Sequence, residues 1–188
     1  MFKREENSLV LDFLPQGLSG EARKEPVAQL IGETYFTLLE AVAKPGANLS
    51  LGEKVYIGKG VRDKIENIRG RISLNQLTSR AKSECESQVR ALVAAREPEL
   101  VAFLNRAGPL SIRNHLLELL PTIGKKHLNA IITAREQKPF ESFADVRERV
   151  AGIGRIEEVF VARILEELKG ESKYYLFTKA PAREREGY

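Results

Sequence analysis

The chain has 188 residues, 43% hydrophobic and 30% charged, a globular composition that allows one ordinary domain or two small ones. No apolar stretch approaches the roughly 18 residues that span a bilayer, and Glu5 and Glu6 stand where a secretory signal would place its apolar run. A single cysteine, Cys85, excludes an internal disulfide, and with two histidines it is too little for a zinc cage of the finger type. A cytoplasmic protein without metal or other cofactor is expected.

The net charge of +4 is less informative than its placement. Between Lys54 and Lys82 stand eight basic residues against two acids, Asp63 and Glu66, so this window alone carries +6 and the remainder −2. A concentrated basic segment in a nearly neutral chain is the footprint of a polyanion binder. The plain alternative is a solvated face of lysines and arginines.

In chain order, the first third reads as short strands. Leu9, Leu11 and Phe13 alternate with Val10, Asp12 and Leu14 until Pro15-Gln16-Gly17 ends the run. Val27–Ile31 and Tyr35–Val42 follow, the latter equally able to form a short helical face. Pro45-Gly46 and Leu51-Gly52 are turn signals, and Glu53–Ile57 and Lys64–Leu74 complete five short strands that suggest a small barrel over residues 1–77. The pattern then turns helical over residues 78–170. Thr78 or Ser79 can cap a helix burying Cys85, Val89, Leu92 and Val93; Pro98 opens the next; Ser111 can cap a third through Ile112, Leu116, Leu119 and Leu120. In the segment 171–188, Tyr174-Tyr175-Leu176-Phe177 reads as a strand returning to the barrel, or as an aromatic segment that docks a protein partner, and Ala182–Tyr188 as a fraying end.

The strongest signal is an internal repeat. Leu120-Pro121-Thr122-Ile123-Gly124-Lys125 recurs thirty positions later as Val150-Ala151-Gly152-Ile153-Gly154-Arg155, each copy between two apolar helical patterns. Between the copies, Ser142 and Asp145 have capping-box spacing. Glycines in such a corner allow positive φ and a close backbone approach, and the isoleucine plugs the gap between helices. The second helix then begins with unpaired N–H groups at the positive end of its dipole, which suits a phosphate oxygen. Gly124, Lys125, Lys126, Gly152, Gly154 and Arg155 are the candidate backbone contacts. Thr122 departs from the repeat where the second copy has Gly152.

At these residues the chain resembles the tandem helix-hairpin-helix module of DNA uptake, repair and replication proteins, over roughly residues 111–168. Leu51-Gly52-Glu53-Lys54-Val55-Tyr56-Ile57-Gly58-Lys59-Gly60 resembles the strand-turn signature of small RNA-binding barrels of the OB type. Together with Val61-Arg62-Asp63-Lys64 and Lys173–Phe177, the whole is similar to an archaeal family of uncharacterised proteins predicted to bind RNA. The resemblance implies an α+β architecture, an OB-like β-barrel followed by an all-α tandem hairpin domain. On the barrel, Lys54, Tyr56, Lys59, Arg62, Arg69 and Arg71 are the candidate face, with Tyr56 as a stacking platform and Arg69 and Arg71 sharing one side if Gly70 adds no bulge.

Helix-hairpin-helix modules also occur in base-excision glycosylases, which resemble a pattern of lysine after the hairpin and a distant aspartate. Lys126 and Asp145 mimic its spacing, but a capping role explains Asp145 and no aspartate follows Gly154. His115 and His127 share no metal-ligand spacing, and no P-loop is present. The expectation is a non-enzymatic protein that binds nucleic acid, RNA in preference to DNA, mainly through phosphates. The rivals are a duplex-DNA accessory protein of repair or replication, and an adaptor that binds proteins only.

Overall fold

Alternation and turn chemistry in the first third produce five antiparallel strands, seen in a computed structural model that describes residues 4–20 and 24–180. They are β1 (Asn7–Leu14), β2 (Val27–Gly32), β3 (Leu38–Ala43), β4 (Lys54–Tyr56) and β5 (Ile65–Arg71), in the sheet order β4-β1-β2-β3-β5. The register slips at Leu11 in β1 and twice along the β3–β5 pair, at Glu66 and Arg69. Such bulges add twist and bend the strands, and the sheet curls into a half-barrel. β4 and β5 stay on opposite edges, joined by residues 57–64.

The inside of the curl is packed by Val10, Ala28, Leu30, Ala41, Val55 and Ile65. The outer side of β2 is covered too. Gln29 accepts the Thr78 N–H at 2.8 Å and donates to the Gln76 carbonyl at 3.1 Å. Thr78 caps α1 (Ser79–Ala95) by accepting from the Ala81 N–H at 3.0 Å, while its hydroxyl donates to buried Asp12 at 2.6 Å. The helix start is therefore fixed to the sheet by hydrogen bonds rather than by apolar contact alone.

Two buried glutamates hold the irregular ends of this unit. Glu5 accepts the N–H groups of Thr34, Tyr35 and Thr37 at 3.0, 2.8 and 3.2 Å, stabilising the turn between β2 and β3 where Phe36 has φ 52°. Tyr35 and Phe36 thus belong to a turn, and the strand expected from residue 35 begins at Leu38. Gly32 makes room for this carboxylate, since a Cβ there would lie 2.1 Å from Glu5 Cδ. Glu167 accepts the N–H groups of Leu176, Phe177 and Thr178 and the Thr178 hydroxyl at 2.7–3.1 Å. The segment expected to add a strand is instead irregular: residues 171–180 contain no strand, and the Leu176, Phe177 and Thr178 amides are satisfied by this side chain and not by a sheet edge. Residues 182–188 lie outside the described residues.

The remaining helices are α2 (Glu97–Arg106), α3 (Lys125–Gln137), α4 (Phe143–Arg149) and α5 (Ile156–Leu168). Two compact units result, one from residues up to Val89 together with those from Ile164 on, the other from Arg90 to Arg163. The division expected near residue 78 therefore falls later, inside α1, whose first turns are tied to the sheet. In the helical unit Phe160 is fully buried, with Phe103 edge-on at 6.3 Å and Phe143 at 5.8 Å. Asn105 exchanges two hydrogen bonds with the Phe140 backbone, at 2.8 and 2.9 Å.

The helix expected from Ser111 does not form. Ser111 Oγ accepts from the Arg113 and Asn114 N–H groups, closing a turn, and Ile112 is fully exposed. Pro121 then ends the stretch, since a residue before proline is driven to extended backbone. Only a 3₁₀ turn, Leu116–Leu119, remains before the first corner, and Leu120 is extended at φ −77°, ψ 131°.

Candidate nucleic-acid interface

Both corners of the repeat are built and open. Ile123 and Ile153 are buried, while Thr122, Gly124, Gly152 and Gly154 are exposed. Gly152 and Gly154 have φ of 76° and 68°, a left-handed pair that glycine adopts without strain. In the first corner Thr122 takes φ 67° while Gly124 is ordinary at −88°.

His127 brings the corners side by side. Its Nδ1 lies 3.2 Å from the Thr122 carbonyl, which can only accept, so the proton sits on Nδ1. Its Nε2 lies 3.8 Å from where a Cβ on Gly152 would be. From the sequence His127 is a surface or hairpin-lining residue on a helix; the fold stands it between the two corners.

The electrostatics separate the two copies. α3 has no acid in its first turn, and Lys125 and Lys126 are exposed there. Lys125 is paired with Glu118 at 2.7 Å. Hydrogen bonds from Lys125 and from the His115 amide, against a smaller cost of burial, hold the Glu118 carboxyl below the usual range. α5 begins with Glu157 and Glu158. Arg155 pairs with both, at 3.1 and 3.7 Å, and Arg147 reaches Glu157 at 3.6 Å. Burial would raise the Glu157 carboxyl, but its own amide and the two arginines outweigh this and hold it low. Carboxylates at a helix N-terminus occupy the place an anion would take. The first corner, despite Thr122, has no first-turn carboxylate in that place.

Asp145 is fully engaged in a cap. Its N–H donates to Ser142 Oγ at 3.0 Å, and its carboxylate accepts from the Glu141 N–H at 3.0 Å and pairs with Arg149 at 3.0 Å. The Glu141 amide, and then Arg149, outweigh burial and keep it ionised. Its spacing from Lys126 has a structural explanation.

On the half-barrel, most candidate cations have partners within their own unit. Lys54 pairs with Glu33 at 2.8 Å, and Arg69 with Glu40 at 3.1 Å and Glu25 at 3.3 Å. Arg62 donates to the Gly58 carbonyl at 2.9 Å, and Arg71 to the carbonyls of Lys179 and Ala180 at 3.1 and 2.9 Å. Arg69 and Arg71 do not form one basic side, because Arg69 is itself the bulged residue. Tyr56 folds over its own loop: its hydroxyl accepts from the Gly60 N–H at 3.2 Å, and a Cβ on Gly58 would lie 2.3 Å from it. Lys59 projects from that exposed loop beside Val61, which is 89% exposed.

A curled sheet unit joined to a helical unit with two open corners defines a mixed α+β protein built from an irregular half-barrel and a helical repeat. The chain belongs to the family described as Protein of unknown function (DUF655), which it matches over residues 4–179. It is 45% identical to the Methanocaldococcus jannaschii protein described as Uncharacterized protein MJ0038, over 94% of this chain and 81% of that one. The crystal structure of Af1531 from Archaeoglobus fulgidus, assigned to the same family, is 42% identical and superposes with a TM-score of 0.86 over 93% of this chain and all of that one. Both relatives are archaeal. Among the described residues, no helix is long and apolar enough to cross a membrane.

Proposed function

We propose that this chain binds nucleic acid, RNA in preference to DNA, by gripping the sugar-phosphate backbone at the two corners, and that it does so without catalysis. The repeat then works as a tandem helix-hairpin-helix. The observation that carries the reading is that His127 spans the two exposed corners, so successive phosphates of one strand can meet both. Gly124, Lys125 and Lys126 supply the stronger contact, and Gly152, Gly154 and Arg155 the weaker one, because Glu157 and Glu158 compete there.

The half-barrel contributes as an OB-like surface. The pairing of β1 with both β2 and β4 supports that reading, as does the exposed Lys59 loop between β4 and β5. Tyr56 is not a ready stacking platform in this role, being held on Gly58 and Gly60.

The test is competition binding among single-stranded RNA, hairpin RNA and duplex DNA at several salt concentrations. The reading expects RNA to win, affinity to fall steeply with salt, and Lys126→Glu to weaken all RNAs alike. Preference for duplex DNA would favour an accessory role in repair or replication. No retention of any nucleic acid would leave an adaptor.

A further inference from the structure

Beside the edge of β5 the half-barrel unit holds a cavity of about 740 Å³, lined from β3, β5 and the connection that follows β4. Its apolar part is a patch of three side chains, Leu39, Ile57 and Ile68, the first two almost fully buried. Around this patch stand four cations, Arg4, Arg62, Arg71 and Lys179. One carboxylate shares the wall, Glu5, whose oxygens already accept three backbone N–H groups. A second cavity of about 500 Å³ adjoins it through Thr37, Arg71 and Lys179.

Three details bear on the chemistry of this wall. Arg71 spends Nη2 on the carbonyls of Lys179 and Ala180, which fixes the end of the described chain so that Lys179 lines both cavities. The Lys179 ammonium stands 3.9 Å over the Tyr35 ring, and burial together with the Arg71 charge, opposed by Glu5, holds it below the usual lysine value. Thr37, at the junction of the two cavities, is 7% exposed and its hydroxyl has no hydrogen-bond partner. Like charges gathered on one cavity wall are unfavourable in the empty protein and are relieved by a bound anion.

We propose that this cavity binds a nucleoside phosphate, with the base on the Leu39–Ile57–Ile68 patch and the phosphate held by Arg71 and Lys179. The combination selects this class. A bare anion would leave the apolar patch unused, whereas a planar base covers a patch of this size and stacks against guanidinium groups. The volume lies within the usual range for small-ligand sites. The nucleotide is either free or the phosphorylated end of a strand. The site belongs to the half-barrel unit, and the inference stands without the reading given for the corners of the helical repeat.

The experiment is calorimetric titration of the full chain with adenosine 5′-monophosphate, uridine 5′-monophosphate, adenosine and inorganic phosphate. A nucleotide is expected to bind at least about tenfold more tightly than either adenosine or phosphate alone. Arg71→Glu and Lys179→Gln are each expected to weaken the nucleotide about tenfold, and Lys179→Gln to do so at an unchanged thermal midpoint. Short RNAs with a 5′-phosphate or a 5′-hydroxyl separate the sources: a preference for the phosphate assigns the strand end, and equal affinity assigns the free nucleotide. Absence of nucleotide binding, or inorganic phosphate binding as tightly as a nucleotide, overturns the proposal.

Discussion

Thr122 and Gly152 occupy the same place in the repeat and the same left-handed backbone conformation, with φ of 67° and 76°. Glycine adopts it freely; a β-branched threonine does not. The first corner thus keeps the shape of the second at a cost in strain.

That strain is measurable. Thr122→Gly is expected to stabilise the protein by about 1 kcal/mol in urea denaturation, the relief of strain exceeding the added freedom of the unfolded chain. Gly152→Ala is expected to destabilise it by about 1 kcal/mol. The Cβ would have room, with His127 Nε2 at 3.8 Å, so the loss comes from the backbone. Equal, near-zero effects at both positions would contradict this account.

Glu118 restrains the cation of the first corner. Glu118→Gln keeps an oxygen to accept from the His115 N–H, which now donates to it at 2.8 Å, but removes the charge paired with Lys125. RNA affinity is expected to rise by about threefold, with the slope of log affinity against log salt steeper by about one. Filter binding across a salt series checks both.

His115 gives the helical unit an acid-sensitive joint. Its Nδ1 accepts from the Leu117 N–H at 3.1 Å, which requires a neutral ring. Burial, then the Arg135 charge, with Glu118 opposing and Lys125 adding, holds the ring below its ordinary 6.5. The unfolded chain therefore takes up a proton before the folded one does, so this contribution is complete above about pH 6.5 and is lost as pH falls toward the folded value. Denaturation midpoints should drop over that acidic range, and His115→Asn, which can still accept a hydrogen bond, should flatten the drop.

Cys85 is fully buried on α1, and burial, with Glu86 adding, pushes its thiol up to about 12. Thiol reagents at neutral pH are expected to leave the folded protein unmodified and to react fully once it is denatured. Rapid labelling of the native chain would place Cys85 in a more open environment.

Much of the architecture was legible because it is local. Alternation marked β1 and β4, the Ser142–Asp145 spacing marked the start of α4, and Gly-Ile-Gly marked the second corner. Failures came where distant groups decide local shape. Tyr35–Phe36 became a turn because Glu5 supplies acceptors from thirty residues away. Tyr174–Phe177 stayed out of the sheet, where Glu167 takes the Leu176 and Phe177 amides. Ile112 left the predicted helix because Ser111 closed a turn between two prolines.

The sequence by itself determined where most strands and helices lie, because apolar periodicity and glycine geometry act within a few residues. The tertiary structure alone decided which charges remain available. Arg69 is held by Glu40 and Glu25, 29 and 44 positions away, while Arg71, two residues on, lines a cavity with Lys179. Ion pairing depends on distances through space, and a basic segment read along the chain cannot distinguish a neutralised arginine from one that faces a ligand.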